Sequence, residues 1–160
     1  MLASGDCIIE DNLIENSNVA IFCTTEIYRN TITRNTIKNN IHGLYLLYAT
    51  HNIIYSNNFI DNTEHILDRN GENTYNLRIG NYYSDYNELY PHATSINING
   101  YEIWNTPYQI TDTSFDNNPL VNIYQVDNIV NDIFTIGSND IVGQKMDNAT
   151  LLGDVNSKNR

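Results

Sequence analysis

The chain has 160 residues, enough for one domain, and carries nineteen Asp and Glu against eight Lys and Arg, a formal charge of −11. That balance leaves no basic stripe for phosphates and argues against nucleic acid or an anionic membrane surface as partner. The 28 Asn and 22 Ile against 8 Gly describe short strands joined by tight bends, because Asn tolerates left-handed corners and β-branched Ile suits a pleated face.

At the N-terminus, MLASGDC lacks the basic start and apolar stretch of a secretory signal, and no apolar run approaches the ~20 residues of a membrane-spanning helix. No direct membrane insertion is expected. A repeat is already running by Cys7 without the polar cap that solenoid ends normally need, which reads as a piece of a longer stack with an open N-terminal edge for upstream coils or an oligomer. Cys7 and Cys23 both fall in the first repeat, where a small buried thiol is the expected fate.

The repeat itself is Asn, any residue, Ile, any residue, Asn. Placing Asn12, Asn35 and Asn58 in register aligns Ile14, Ile37 and Ile60, then Asn16, Asn39 and Asn62, then Ile21, Leu44 and Leu67, at a constant step of 23 residues. Three copies at one period predict a solenoid of stacked coils, residues 5–26, 27–50 and 51–74. Ile9, Ile32 and Tyr55 join the expected inward set. The column of Asn12, Asn35 and Asn58 predicts a ladder of side-chain amides that bond from coil to coil.

After the coils come Gly80, Asn81, Tyr82, Tyr83, Ser84, Asp85 and Tyr86, then Thr106, Pro107 and Tyr108, then Asn118, Pro119 and Leu120. The coils resemble the right-handed parallel β-helix repeats shared by polysaccharide-active enzymes and by the NosD-like family. Members of that family are labelled periplasmic copper-binding proteins and abound as archaeal surface proteins. The later segments are similar to the family's GNYWSDY, TPY and YPL, with Tyr83 where Trp is usual, so the resemblance covers residues 5–121. It implies an all-β fold of about three coils (5–76) followed by a small β-rich cap (77–121), and an extracellular, cell-surface or periplasmic location. Residues 122–160 form an acidic extension expected to be weakly ordered, and Asn148–Thr150 is a glycosylation pattern too short to carry weight.

Between GNYWSDY and TPY the family often carries an acidic, calcium-like turn of the form DxNGDGIGD. Here Asn97, Tyr101 and Asn105 replace its three aspartates and leave Glu102 as the carboxylate, a poor set for a hard cation. The Asn99–Gly100 pair predicts a hairpin turn instead.

Three constellations bear on chemistry. Glu15, Lys38 and Asp61 share the 23-residue step and resemble a carboxylate pair with a basic partner, as do Asp11, Arg34 and Asn57. An acid–base–acid column is also an ordinary cross-strand charge ladder, the preferred reading. His42 and His65 fall in one column and would offer two imidazoles to copper or zinc, but two ligands do not make a site, and no metal or other cofactor is expected. Twelve Tyr against four Phe and one Trp give an outward pair, Phe22 and Tyr45, with Tyr48 nearby, and a later cluster that includes Tyr83 and Trp104. Such rows bind sugar rings or protein, or cover the end of the stack as a lid. The expected role is a non-catalytic envelope module that binds a polysaccharide or an envelope protein. A polysaccharide hydrolase or lyase is the second reading and an accessory copper protein the third.

Overall fold

The computed structural model describes residues 4–25, 27–69 and 72–125. The first coil is made of β1 (Ser4–Gly5), β2 (Ile8–Glu10), β3 (Leu13–Glu15) and β4 (Val19–Cys23). The second repeats it as β5 (Ile27–Tyr28), β6 (Thr31–Thr33), β7 (Thr36–Lys38) and β8 (His42–Leu46). The third holds β9 (Ile53–Tyr55), β10 (Asn58–Ile60) and β11 (Glu64–Asp68). Each strand pairs in parallel with its counterpart one coil away, giving the sheets β2-β6-β9, β3-β7-β10 and β4-β8-β11. The chain is a β-solenoid of about three turns.

Its corners explain why Asn recurs. Asp6, Asp11, Asn16, Arg29, Arg34, Asn39, His51, Ser56 and Asp61 all have φ between 49° and 61°, the left-handed region in which a polar residue turns the chain most cheaply. In the second and third coils the residue after each of these corners is a buried Asn.

The third coil corrects the uniform period. Ile14 lies beside Ile37 and Ile21 beside Leu44, at the expected 23 residues, but Ile37 then meets Phe59 and Leu44 meets Ile66, a step of 22. The residue is lost in the turn after β8, where Tyr48 adopts φ 57°. Cys23 and Tyr28 of coil one lie five residues apart, whereas their counterparts Leu46 and Thr50 lie four apart. Because side chains alternate across a strand, a slip of one residue exchanges inside for outside. Asn58, Ile60 and Leu67 therefore leave the inward columns to Asn57, Phe59 and Ile66, and Ile54 takes the place expected for Tyr55.

Three amide ladders, not one, run up the stack. Asn12 donates to Asn35 Oδ1, Asn35 to Asn57 Oδ1 and Asn57 to Asn81 Oδ1, each through backbone N–H and side-chain Nδ2 at 2.9–3.1 Å. A second joins Cys7, Asn30, Asn52 and Asn73, and a third joins Ser17, Asn40 and Asn62. Spare amide hydrogens reach backbone carbonyls, Asn57 Nδ2 donating to Ile32 O at 2.8 Å and Tyr55 O at 3.0 Å. The buried amides are thus satisfied inside an apolar stack of Ile32, Ile37, Leu44, Ile54 and Phe59, all fully buried.

The ladders end on ionisable groups. Asp116 Oδ2 accepts Asn81 N–H at 2.6 Å, Asn81 Nδ2 at 3.2 Å and the Tyr83 hydroxyl at 3.2 Å, while its Oδ1 accepts Asn118 N–H at 3.0 Å. Asp68 Oδ2 receives Asn73 Nδ2 and the Tyr75 hydroxyl, and His65 Nδ1 receives Asn62 Nδ2.

The cap begins as one more rung: β12 (Tyr82–Tyr83) pairs with β10 in parallel, so the GNYYSDY segment is the start of a fourth coil. A short helix α1 (Tyr86–Leu89) follows, then the hairpin β13 (Ser95–Ile98) and β14 (Tyr101–Trp104), then the pair β15 (Tyr108–Gln109) and β16 (Phe115–Asp116). Asn99 and Gly100 form the expected hairpin turn at φ 53° and 89°, and Asn97 Oδ1 accepts Gly100 N–H. Outward on β10, Asn58 clamps the stretch after the cap, its Nδ2 donating to Tyr124 O at 2.9 Å and its Oδ1 accepting Tyr124 N–H at 2.6 Å. Of the extension, 122–125 are described and pack there; the candidate strand residues Ile129, Ile133 and Ile136 and the Asn148 pattern lie outside the described residues.

Close packing gives one direct prediction. A Cβ on Gly43 would stand 2.6 Å from the backbone oxygen of His65 in the next coil, where no flexible side chain can yield. Gly43→Ala is expected to cost ~1–3 kcal/mol, read as a lowered midpoint in thermal unfolding followed by circular dichroism.

Candidate functional site

On the outer face, bases of the second coil answer acids of the first. Arg29 holds Asp6 through Nε and Nη2 at 2.9 and 2.7 Å; Arg34 holds Asp11 at the same distances and also reaches Glu10; Lys38 Nζ lies 3.0 Å from Glu15. The guanidinium hydrogen bonds hold the Asp6 and Asp11 carboxyls below the usual range. Asp61 is not part of this column: Lys38 pairs with Ile60, and Asp61 stands at the corner above Asn16 and Asn39. The trio Glu15, Lys38 and Asp61 is therefore not assembled. Nor does Asn57 stand with Asp11 and Arg34, since Ser56 takes that corner.

The same slip separates the histidines. His42 is half-exposed beside Glu64, its Nδ1 2.9 Å from Glu64 Oε2, whereas His65 points inward at 5% exposure. Since Asn62 donates to His65 Nδ1, the ring's hydrogen sits on Nε2, 3.2 Å from Asp85 Oδ1. Burial pushes the Asp85 carboxyl up, but hydrogen bonds from His65 and Tyr108 outweigh it and leave it below its ordinary value.

The aromatic residues divide by position. Phe59, Tyr83 and Tyr108 form a continuous stack, with Tyr83 and Tyr108 parallel at 3.7 Å, and Trp104 lies flat on Tyr86 at 4.8 Å. Tyr83 is 1% exposed, and burial drives its hydroxyl pKa upward. Tyr83 and Trp104 therefore belong to the lid that closes the core. Phe22, Tyr45 and Leu67 instead share one outward row on β4, β8 and β11, with Phe22 51% exposed and 5.1 Å from Tyr45. His42 lies 5.9 Å from Tyr45 in the same face, and Tyr48 stands exposed at the left-handed turn beyond it.

A model of the family described as periplasmic copper-binding protein (NosD) matches residues 1–88, more than half of the chain. The chain belongs to the NosD family. The match spans the coils, β12 and most of α1; the rest of the cap lies beyond it. No curated protein and no solved structure matches. Among the described residues, no helix is long and apolar enough to cross a membrane.

The NosD description raises copper, which is held by clustered imidazole, thiolate or thioether ligands. The described residues do not fit it. No three His, Cys, Asp or Glu among them converge as a metal would need, His65 has both ring nitrogens engaged, and burial lifts the Cys23 thiol to about 11.

A polar groove at the corner of Asn16, Asn39 and Asp61 escaped the sequence reading, as did the buried Asp116. The groove's signal was available in the columns of corner residues, once the step of 22 is used for the third coil.

Proposed function

We propose that this NosD-family chain is a non-catalytic binding module of the cell envelope, outside the cytoplasmic membrane, whose ligand is a carbohydrate. The observation that carries the reading is the outward row of Phe22, Tyr45 and Leu67. It lies on a flat parallel sheet whose rungs recur every ~4.8 Å, and a tyrosine ring there offers both an apolar face and a hydroxyl to a sugar. Tyr48, exposed at the turn that follows β8, adds a further ring. Hydrolysis or elimination would need a carboxyl pair at fixed separation with one member's pKa raised, and Glu15 is held by Lys38 while Asp61 stands in another column. Affinity electrophoresis through a panel of polysaccharides tests the reading. Retention is expected without new reducing ends or unsaturated products; Tyr45→Ala should weaken it about tenfold, the loss of one stacking contact of ~1–1.5 kcal/mol, and Glu15→Gln should leave it intact. Product release abolished by Glu15→Gln would establish an enzyme instead, and no retention with any polysaccharide would favour a protein partner.

A further inference from the structure

The corners of the solenoid are not equivalent. At the first, Arg29 closes on Asp6, and at the second, Arg34 closes on Asp11, so the side chains of neighbouring coils occupy one another. At the third, Asn16, Asn39 and Asp61 stack with the same left-handed backbone, φ 58°, 56° and 49°. Among the described residues their side chains make no hydrogen bond or ion pair with one another. They line, with Asn18, Ile41 and Thr63, an open groove of about 460 Å³.

We propose that this groove is a binding subsite for a glycan whose rings carry hydroxyls or amines but no carboxylates. The proposal rests on the carbohydrate reading of the aromatic row and extends it. Each side-chain amide presents a donor and an acceptor side by side, which suits adjacent hydroxyls on a ring, and Ile41, 49% exposed, supplies an apolar surface for the ring's C–H face. The amides recur at the coil spacing of ~4.8 Å, close to the length of one ring along a sugar chain, so successive rings meet Asn16, Asn39 and Asp61 in turn. The groove ends at Asn18, Ile41 and Thr63, directly before β4, β8 and β11, and the Phe22–Tyr45 row runs parallel to it four residues further along those strands, ~13 Å away.

Charge sets the class. Asp61 is the one carboxylate in the groove, and the nearby bases are taken: Lys38 by Glu15 at 3.0 Å and His42 by Glu64 at 2.9 Å. Among the described residues lining the groove no cation offsets the repulsion between Asp61 and a uronate ring, whereas an amine would find a counter-charge.

The test uses the full chain with three immobilised polymers: chitosan for amine-bearing rings, a neutral β-glucan, and polygalacturonate for uronates. Wild type is expected to retain on the first two and to pass through the third. The double variant Asn18→Ala/Thr63→Ala should weaken retention on the neutral glucan about tenfold, two lost hydrogen bonds, with its thermal midpoint unchanged. Asp61→Lys should lose chitosan and gain polygalacturonate. If Tyr45→Ala abolishes retention while Asn18→Ala/Thr63→Ala and Asp61→Lys change neither affinity nor charge preference, the groove is no subsite although the module reading stands. Equal retention of wild type on polygalacturonate and chitosan also overturns the proposal. Absence of retention on all three, by every form of the protein, removes the carbohydrate reading and the subsite with it.

Discussion

Asp116→Ala is expected to lower unfolding stability by ~3–5 kcal/mol at pH 5, since it strips the acceptor from several buried donors at once. Asn81 N–H, Asn81 Nδ2 and the Tyr83 hydroxyl all converge on Oδ2, and Asn118 N–H on Oδ1. Asp116 has no exposure, so its donors lose an acceptor that bulk solvent does not reach. Urea unfolding followed by tyrosine fluorescence and by circular dichroism measures the loss; a change below ~1 kcal/mol would mean that the ladder does not need its terminator. Asp116→Asn separates charge from shape. An amide NH₂ cannot accept, so one donor is orphaned, whereas a protonated carboxyl keeps a hydroxyl oxygen that still can. Burial pushes the Asp116 carboxyl from 3.8 up to about 7, against hydrogen bonds that pull it down. A raised acid binds its proton more tightly in the folded state, so its contribution is fully present below pH 3.8 and is lost as pH rises toward 7. The stability gap between wild type and Asp116→Asn should therefore be widest near pH 4 and narrow by pH 8.

Asn57→Leu should be the other severe substitution, costing ~2–4 kcal/mol, while Asn58→Ala next to it should cost ~1 kcal/mol. Asn57 is fully buried and serves both the rung before and the rung after; its loss leaves the Asn35 backbone N–H without its acceptor and removes the side-chain donor to Asn81 Oδ1 and to the carbonyls of Ile32 and Tyr55. Asn58 holds the stretch around Tyr124 and makes one longer bond, 3.4 Å, to Thr36 Oγ1. Thermal midpoints of the two variants decide between the registers, because a step of 23 residues would reverse the order and place the larger loss at Asn58.

The same adjacent pair marks how far the fold was legible. Asn-x-Ile-x-Asn at a regular interval was enough for stacked coils, since only a strand uses that alternation, and the family segments placed the cap. What misled was the assumption that every turn has the same length. With a step of 23, Asn58 and Asn62 fall beneath Asn35 and Asn39, two matches. With 22, Asn52, Asn57 and Asn62 fall beneath Asn30, Asn35 and Asn40, and Phe59 beneath Ile37. Scoring all three asparagines of a coil together would have exposed the shortened turn at Tyr48. The error then spread to the site: His42 and His65, like Glu15 and Asp61, shared columns only in the longer register. Phe22 and Tyr45 precede the turn, and their pairing held. Asp116 was illegible for another reason, as it meets Asn81 across 35 residues of irregular cap, beyond any local period.

The three ladders have one more property in common. Every amide-to-amide bond runs toward the cap, Asn12 to Asn35, Asn30 to Asn52, Asn40 to Asn62, while spare hydrogens of Asn35, Asn40 and Asn57 reach backbone carbonyls of the preceding coil. Aligned amides polarise one another, so the stack has an electrically positive end and a negative one, as a helix does. At the positive end Asp116 and Asp68 accept the last amide hydrogens. At the other end one ladder presents an amide oxygen, that of Asn12, and the other two begin at the backbone N–H of Cys7 and Ser17. The solenoid has a source and a sink, and its ends cannot be exchanged.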